Sequence, residues 1–223
     1  MQNARMQKVP LADFAALVWR LEDALKAPLP GASAQEFLAP EPRREWPSTF
    51  KPARIRHAAG LLLVFPVVRR AHIVLTVRAG TLGRHSGQVS LPGGGVESGE
   101  TIEQAALREA HEEIALPLDE VRVLGGLTPL DIPVSGFRLH PIVAVTGARP
   151  VFTPSNGEVA RILEVAIDEL TAPERLVSVE RERDGRAMIV PAFHVGGEEI
   201  WGATAMVLAE FLIVLGWIPP LSK

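Results

Sequence analysis

Apolar residues recur at helical spacing near the start of the chain: Leu11, Phe14, Val18, Leu21 and Leu25 predict an amphipathic helix over residues 11–26. The pattern then dissolves among Pro28, Pro30, Pro40, Pro42, Pro47 and Pro52, each of which interrupts a regular element. Residues 1–52 therefore read as a helix and a proline-rich strap, serving packing or a homodimer contact. From residue 57 the period shortens. The runs AGLLLVFPVV and AHIVLTVR, each bounded by basic or turn-prone residues, predict paired strands. Further strand-like runs are VRVLGGLTPL, FRLHPIVAVTG, ILEVAIDEL and MIVPAFHV, and a closing helix is expected over residues 203–215. Strands dominate, with one helix in the middle and one at the end. The expected class is α+β, a sandwich with helices on the faces of a sheet, in a main domain over 53–223.

Composition narrows the functional classes. The 223 residues are 47% hydrophobic, ample for a core. A net charge of -3 gives no general attraction to nucleic acid. There is no cysteine, which excludes disulfides, thiolate metal sites and cysteine nucleophiles, and fits a cytoplasmic protein. The N-terminal residues have no signal-peptide core. The longest apolar run, residues 201–220, is broken by glycines and Glu210, too short for a span of about 20 apolar residues, so no membrane association is expected.

Charge is distributed unevenly. Between Glu97 and Glu113 stand six glutamates and one arginine, directly behind the glycines 93–95. Thr101 followed by Gln104 is a capping-box pattern, so a helix begins there and the preceding glycines form a loop. On that helix Ala106, Leu107, Ala110 and Ile114 face a sheet, while Glu109, Glu112 and Glu113 converge beside them. Like charges one turn apart repel by roughly 0.2–0.5 kcal/mol per pair. A hard divalent cation, Mg²⁺ or Mn²⁺, would relieve the repulsion and prefers such oxygen ligands. None of the six histidines makes a metal-ligand pair by spacing, and no serine–histidine–aspartate arrangement stands out.

Gly94, Glu100, Arg108, Glu109, Glu112, Glu113 and Leu116 reproduce the order GX5EX7REAXEEXAL. This resembles the signature of the Nudix hydrolases, pyrophosphatases that cleave nucleoside diphosphates linked to another group. The resemblance implies a Nudix-type α/β/α sandwich with a mixed β-sheet, here with an N-terminal helical extension. It further implies Glu109, Glu112 and Glu113 as metal ligands, helped by the Gly94 carbonyl, with Arg108 orienting carboxylates and Glu100 supporting the loop. Glu109, Glu113 and Glu158 are the candidates for general base. Ala115 departs from the family, which usually has glycine there; the position bears on the turn at the helix end.

Upstream, LTVRAGTLGRHSGQVSLPGG resembles the extra motif of the coenzyme A pyrophosphatase subfamily. Leu75, Thr76, Arg78, Ala79, Gly87, Pro92, Gly93 and Gly94 match it; Val74, Gly83 and Leu91 depart, the last replacing an aromatic. The resemblance implies a small-molecule nucleotide substrate of coenzyme A type, bound by Arg78, Arg84, Gly87, Gln88 and Gly93. The planar guanidinium forks of the two arginines suit phosphate oxygens. Two rivals remain: the same chemistry on ADP-ribose or NADH, and a module that binds a nucleotide without cleaving it.

Overall fold

The computed structural model describes residues 13–43, 45–46, 51, 54–79, 87–155, 157–183 and 186–219. Its centre is a long strand β1 (Arg56–Val67), flanked in parallel by β7 (Phe137–Val145) and antiparallel by β2 (Arg70–Arg78). β5 (Arg122–Gly126) and β6 (Leu130–Ile132) pair with β7, and β8 (Val159–Ala166) pairs with β2. Two short segments, β3 (Val89–Ser90) and β4 (Gly93–Gly95), complete the mixed eight-stranded sheet.

β1 and β2 do not pair along their whole length. They are hydrogen-bonded from Val64–Val67 to Arg70–Ile73 and then diverge. β4 takes over the open edge of β1 at Ala58–Gly60, and β3 takes over that of β2 at Thr76–Val77. The glycine segment is thus built into the sheet where the two strands part.

Strand period two divides the core. Leu61, Leu63 and Phe65 of β1 face α3 (Ile102–Ile114), meeting Ala105, Ala106, Ala110 and Ile114. Leu62 and Val64 face the other way, towards Leu17 and Leu21 of α1 (Phe14–Ala24) and Phe211 and Leu212 of α5 (Gly202–Val214). The result is the expected α/β/α sandwich. Apart from Thr204 and Glu210, α5 is apolar on every side because it is wedged between the main sheet and a second, three-stranded sheet. That sheet, β9 (Leu176–Arg183), β10 (Arg186–Val195) and β11 (Glu198–Trp201), is where sequence reading fell short. β10 matched an apolar run, but β9 is an edge strand whose short apolar start gives way to the charged VERER. The run ILEVAIDEL also divides: its strand stops at Ala166 and Ile167–Leu170 forms the short helix α4.

α3 begins as the capping box requires, with Thr101 Oγ1 accepting from Gln104 N and Gln104 Oε1 accepting from Thr101 N. It ends at Ala115, whose φ of 52° and ψ of 36° are left-handed. α1 starts on Asp13, which accepts a hydrogen bond from Ala16 N. The strap that follows contributes Leu38 to the core and a short helix α2 (Ala32–Glu36). Gln35 is buried and donates from Nε2 to Thr128 O and Glu210 Oε2, both at 2.8 Å. Glu210, fully buried on α5, also accepts from Gly31 N and Thr128 N. One carboxylate therefore joins the strap, the β5–β6 connection and α5. No helix among the described residues is long and apolar enough to cross a membrane.

Two stability changes follow from these contacts. Gln35→Ala leaves part of a buried carboxylate unsatisfied and should cost about 2–3 kcal/mol in urea unfolding; a loss under about 0.5 kcal/mol would show that the clamp is idle. Ala115→Gly should add about 0.5–1 kcal/mol, because a left-handed alanine costs about 1–2 kcal/mol and glycine returns less than that in unfolded-chain entropy. An unchanged midpoint would mean that the cap carries no strain.

Candidate active site

The site forms where α3 crosses the glycine segment. β4 lies so close to β1 that a Cβ on Gly93 would sit 2.2 Å from Ala59 O. A Cβ on Gly94 would sit 2.4 Å from the carboxyl carbon of Glu109. The first contact is with backbone and excludes a side chain at Gly93; the second is with a side-chain tip, so a side chain at Gly94 would displace the Glu109 carboxylate. This close approach lets the carboxylates of α3 reach the backbone of β4: Glu113 Oε2 accepts from Gly93 N at 3.1 Å.

Glu109 and Glu113, one turn apart, both point inward. Glu113 is only 9% exposed, and burial pushes its pKa up to about 7, assisted by the charges of Glu109 and Glu158. The hydrogen bond from Gly93 and the charge of Arg78 act against that rise. Glu109 is also raised, again chiefly by burial. Glu112 turns outward, its side chain 57% exposed.

Arg108 organises the remainder. Its guanidinium donates to both oxygens of Glu100 at 2.9 and 3.1 Å, to Glu109 Oε1 at 3.0 Å, to Glu112 Oε2 at 3.3 Å and to Gly95 O at 3.0 Å. Glu100 also accepts from Glu97 N, and its pKa is lowered chiefly by the bond from Arg108. Arg108 and Glu100 thus fasten the loop to the helix.

The second group of residues arrives from β2. The pairing of β2 with β8 shifts register between Val77 and Arg78, and such a bulge re-aims a side chain. Arg78 there comes within electrostatic reach of Glu113. Its N–H donates to Gln88 O and its carbonyl accepts from Gly87 N, so Gly87 and Gln88 are its direct neighbours. Ala79 N donates to Glu158 O, which brings the loop before β8 to the same corner. The predicted residues Arg78, Gly87, Gln88, Gly93, Gly94, Arg108, Glu109, Glu112, Glu113 and Glu158 therefore gather at one end of the split between β1 and β2. Arg84, with its neighbours Gly83 and His85, lies outside the described residues.

Leu91, where the related motif has an aromatic, is buried and packs on Gly60 of β1. That departure therefore falls within the packing of the sheet. Sequence reading missed the loop 149–155, which locks the end of α3: Thr153 N donates to Ile114 O and Ser155 N to Glu113 O. It also missed His57 and His140, whose rings touch across β1 and β7. Neither has a sequence signal, since the partners are distant along the chain.

Among the described residues no three carboxylate or imidazole groups stand together as a ready-made metal centre. The donor chemistry nevertheless fits a hard cation. Glu109 and Glu113 both turn inward with a single backbone hydrogen bond, from Gly93 N to Glu113, and Arg108 draws Glu109 and Glu112.

Residues 56–185 match the family described as NUDIX domain. A Pectobacterium atrosepticum protein named "Uncharacterized Nudix hydrolase NudL" is 34% identical over 168 residues, covering 75% of this chain and 87% of that protein. A Citrobacter koseri protein of the same name is 36% identical over 167 residues, covering 74% and 85%. Among solved structures, the Nudix hydrolase RenU from M. smegmatis superimposes with a TM-score of 0.53 over 75% of this chain and 90% of its own, at 24% identity. That likeness shows a shared fold.

The raised pKa of Glu113 has a signature in stability. The folded protein keeps this proton up to about pH 7, whereas the unfolded chain loses it near 4.5, the ordinary value for a glutamate. Between those pH values the native state binds more protons, so the contribution of this group falls as pH rises through the window and is flat above it. In the presence of a chelator, Glu113→Gln should therefore gain thermal stability over wild type, more at pH 8 than at pH 5. An equal effect at both pH values would contradict the buried-charge account.

Proposed function

This chain belongs to the Nudix family and is a hydrolase acting on pyrophosphate bonds, and we propose that the bond it cleaves is the diphosphate of coenzyme A or an acyl-coenzyme A. The observation that carries the reading is the placement of Arg78, with Gly87 and Gln88, beside the buried Glu113. These are the residues of the motif that resembles the coenzyme A pyrophosphatases, and they bring a cation to the corner where a diphosphate must lie. Arg84 belongs to the same proposal as a second phosphate ligand. The products would be 4′-phosphopantetheine and adenosine 3′,5′-bisphosphate.

A divalent cation, Mg²⁺ or Mn²⁺, held by Glu109, Glu112 and Glu113 with the Gly94 carbonyl, would neutralise diphosphate charge and acidify a water. Arg108 keeps Glu109 and Glu112 oriented, and Glu100 keeps Arg108 in place. Gly93 lets β4 lie against β1, which sets the glycine segment beside the phosphate site. Since Glu109 and Glu113 are assigned to the cation, Glu158 is the carboxylate left to take the proton of the attacking water. Water adds across the anhydride, one P–O bond breaks, and each product leaves with one of the two phosphates.

With Mg²⁺ or Mn²⁺ present, coenzyme A should be consumed with equal amounts of the two products, resolved by chromatography. Turnover of ADP-ribose or NADH with coenzyme A untouched would overturn the substrate assignment. Glu158→Gln should lower kcat by about 10²–10⁴-fold while leaving KM and cation affinity unchanged. A variant with full kcat would remove Glu158 from the proton step.

A further inference from the structure

β1 and β7 run parallel, with Ala59 opposite His140 and His57 opposite Arg138. On β1 the residues Ala59, Leu61 and Leu63 face α3, and on β7 so do Ile142 and Ala144. Counting back by two places His57 and His140 on that same face, beyond the N-terminus of α3. There the helix no longer covers the sheet. Their rings meet: His57 Nδ1 and His140 Nε2 are 2.8 Å apart, with centroids 5.1 Å apart and planes inclined by 33°. His57 is exposed and His140 half-buried. A groove of about 470 Å³ opens beside them, lined by His140, Thr101, Glu103 and Gly126.

We propose that His57 and His140 form a metal site separate from Glu109, Glu112 and Glu113, taking borderline divalent cations such as Zn²⁺, Ni²⁺ or Cu²⁺. Two imidazole nitrogens bound to one tetrahedral zinc, at about 2.0–2.1 Å each, stand about 3.3 Å apart. The present pair needs to open by only about 0.5 Å to accept the ion between them. Each ring can offer the facing nitrogen once its proton sits on the other ring nitrogen. In the hydrogen-bonded pair one ring already has that tautomer, so a single proton shift through solvent readies the other, and none is lost from a neutral pair. Burial and the neighbouring His57 and Arg138 favour the neutral form of His140. Asp131, the carboxylate that acts the other way, is held by Arg138 through bonds of 2.7 and 3.1 Å. The groove has room for water to complete the coordination. Imidazole selects these ions and oxygen donors select Mg²⁺, so the two sites separate by chemistry as well as by place.

The proposal stands independently of the substrate assignment. Its test is calorimetric titration of Zn²⁺ into the metal-stripped full chain held in excess Mg²⁺. Wild type should bind one equivalent, and His57→Asn and His140→Asn should each weaken it by roughly tenfold or more, with the Mg²⁺ response unchanged. Imidazole ¹⁵N spectra of the wild type, which need no variant to fold, should show zinc-dependent shifts at His57 Nδ1 and His140 Nε2. Unchanged zinc affinity in both variants, absent ¹⁵N shifts, or zinc binding abolished by Glu109→Gln instead would each overturn the site.

Discussion

The contact between the carboxylates of α3 and the bare backbone of β4 is the constraint on which the site depends. Glu109 fills the space where a side chain on Gly94 would be, and Glu113 holds the amide of Gly93. Gly93 in turn presses on Ala59 of β1. Helix, glycine segment and central strand therefore form a stack without spare volume, and the divergence of β1 from β2 is what admits the middle layer. The sandwich around it serves to hold these three elements in register.

Electrostatics explain why this stack is poised and not merely tight. Burying two carboxylates one turn apart raises both pKa values, a cost that the fold carries when no cation is present. Arg108 compensates on the loop side through Glu100, Glu109, Glu112 and Gly95 O. Arg78 compensates more weakly from β2. A divalent ion would meet a pocket with negative charge in excess, and a diphosphate would meet the ion and Arg78 together.

Much of this was legible in the sequence, because its determinants are local. The capping box fixed the start of α3, the three-and-four spacing put Glu109 and Glu113 on one side, and the glycines announced a close approach. Glu112, turned about 60° from Glu109 on the helix, faces solvent and Arg108. What could not be read depends on partners distant along the chain. The meeting of His57 with His140 follows from parallel register, the docking of Ser155 on Glu113 from a loop path, and the burial of Glu210 from the strap folding back on α5. β9 escaped because its alternation stops at Val179 and the rest of this edge strand is charged. Ala115, noted as a departure at a turn, stands in the left-handed conformation that glycine would occupy without strain.

We propose that the space at Gly94 sets the carboxylate geometry on which hydrolysis depends. The most direct measurement is the hydrolysis rate of Gly94→Ala on the substrate that wild type turns over fastest, with Mn²⁺ saturating and thermal unfolding followed in parallel. The added methyl group displaces Glu109, so the rate should fall about 100-fold or more, as a displacement near 1 Å can cause, in a protein that still unfolds cooperatively. A folded variant hydrolysing at the wild-type rate would contradict it.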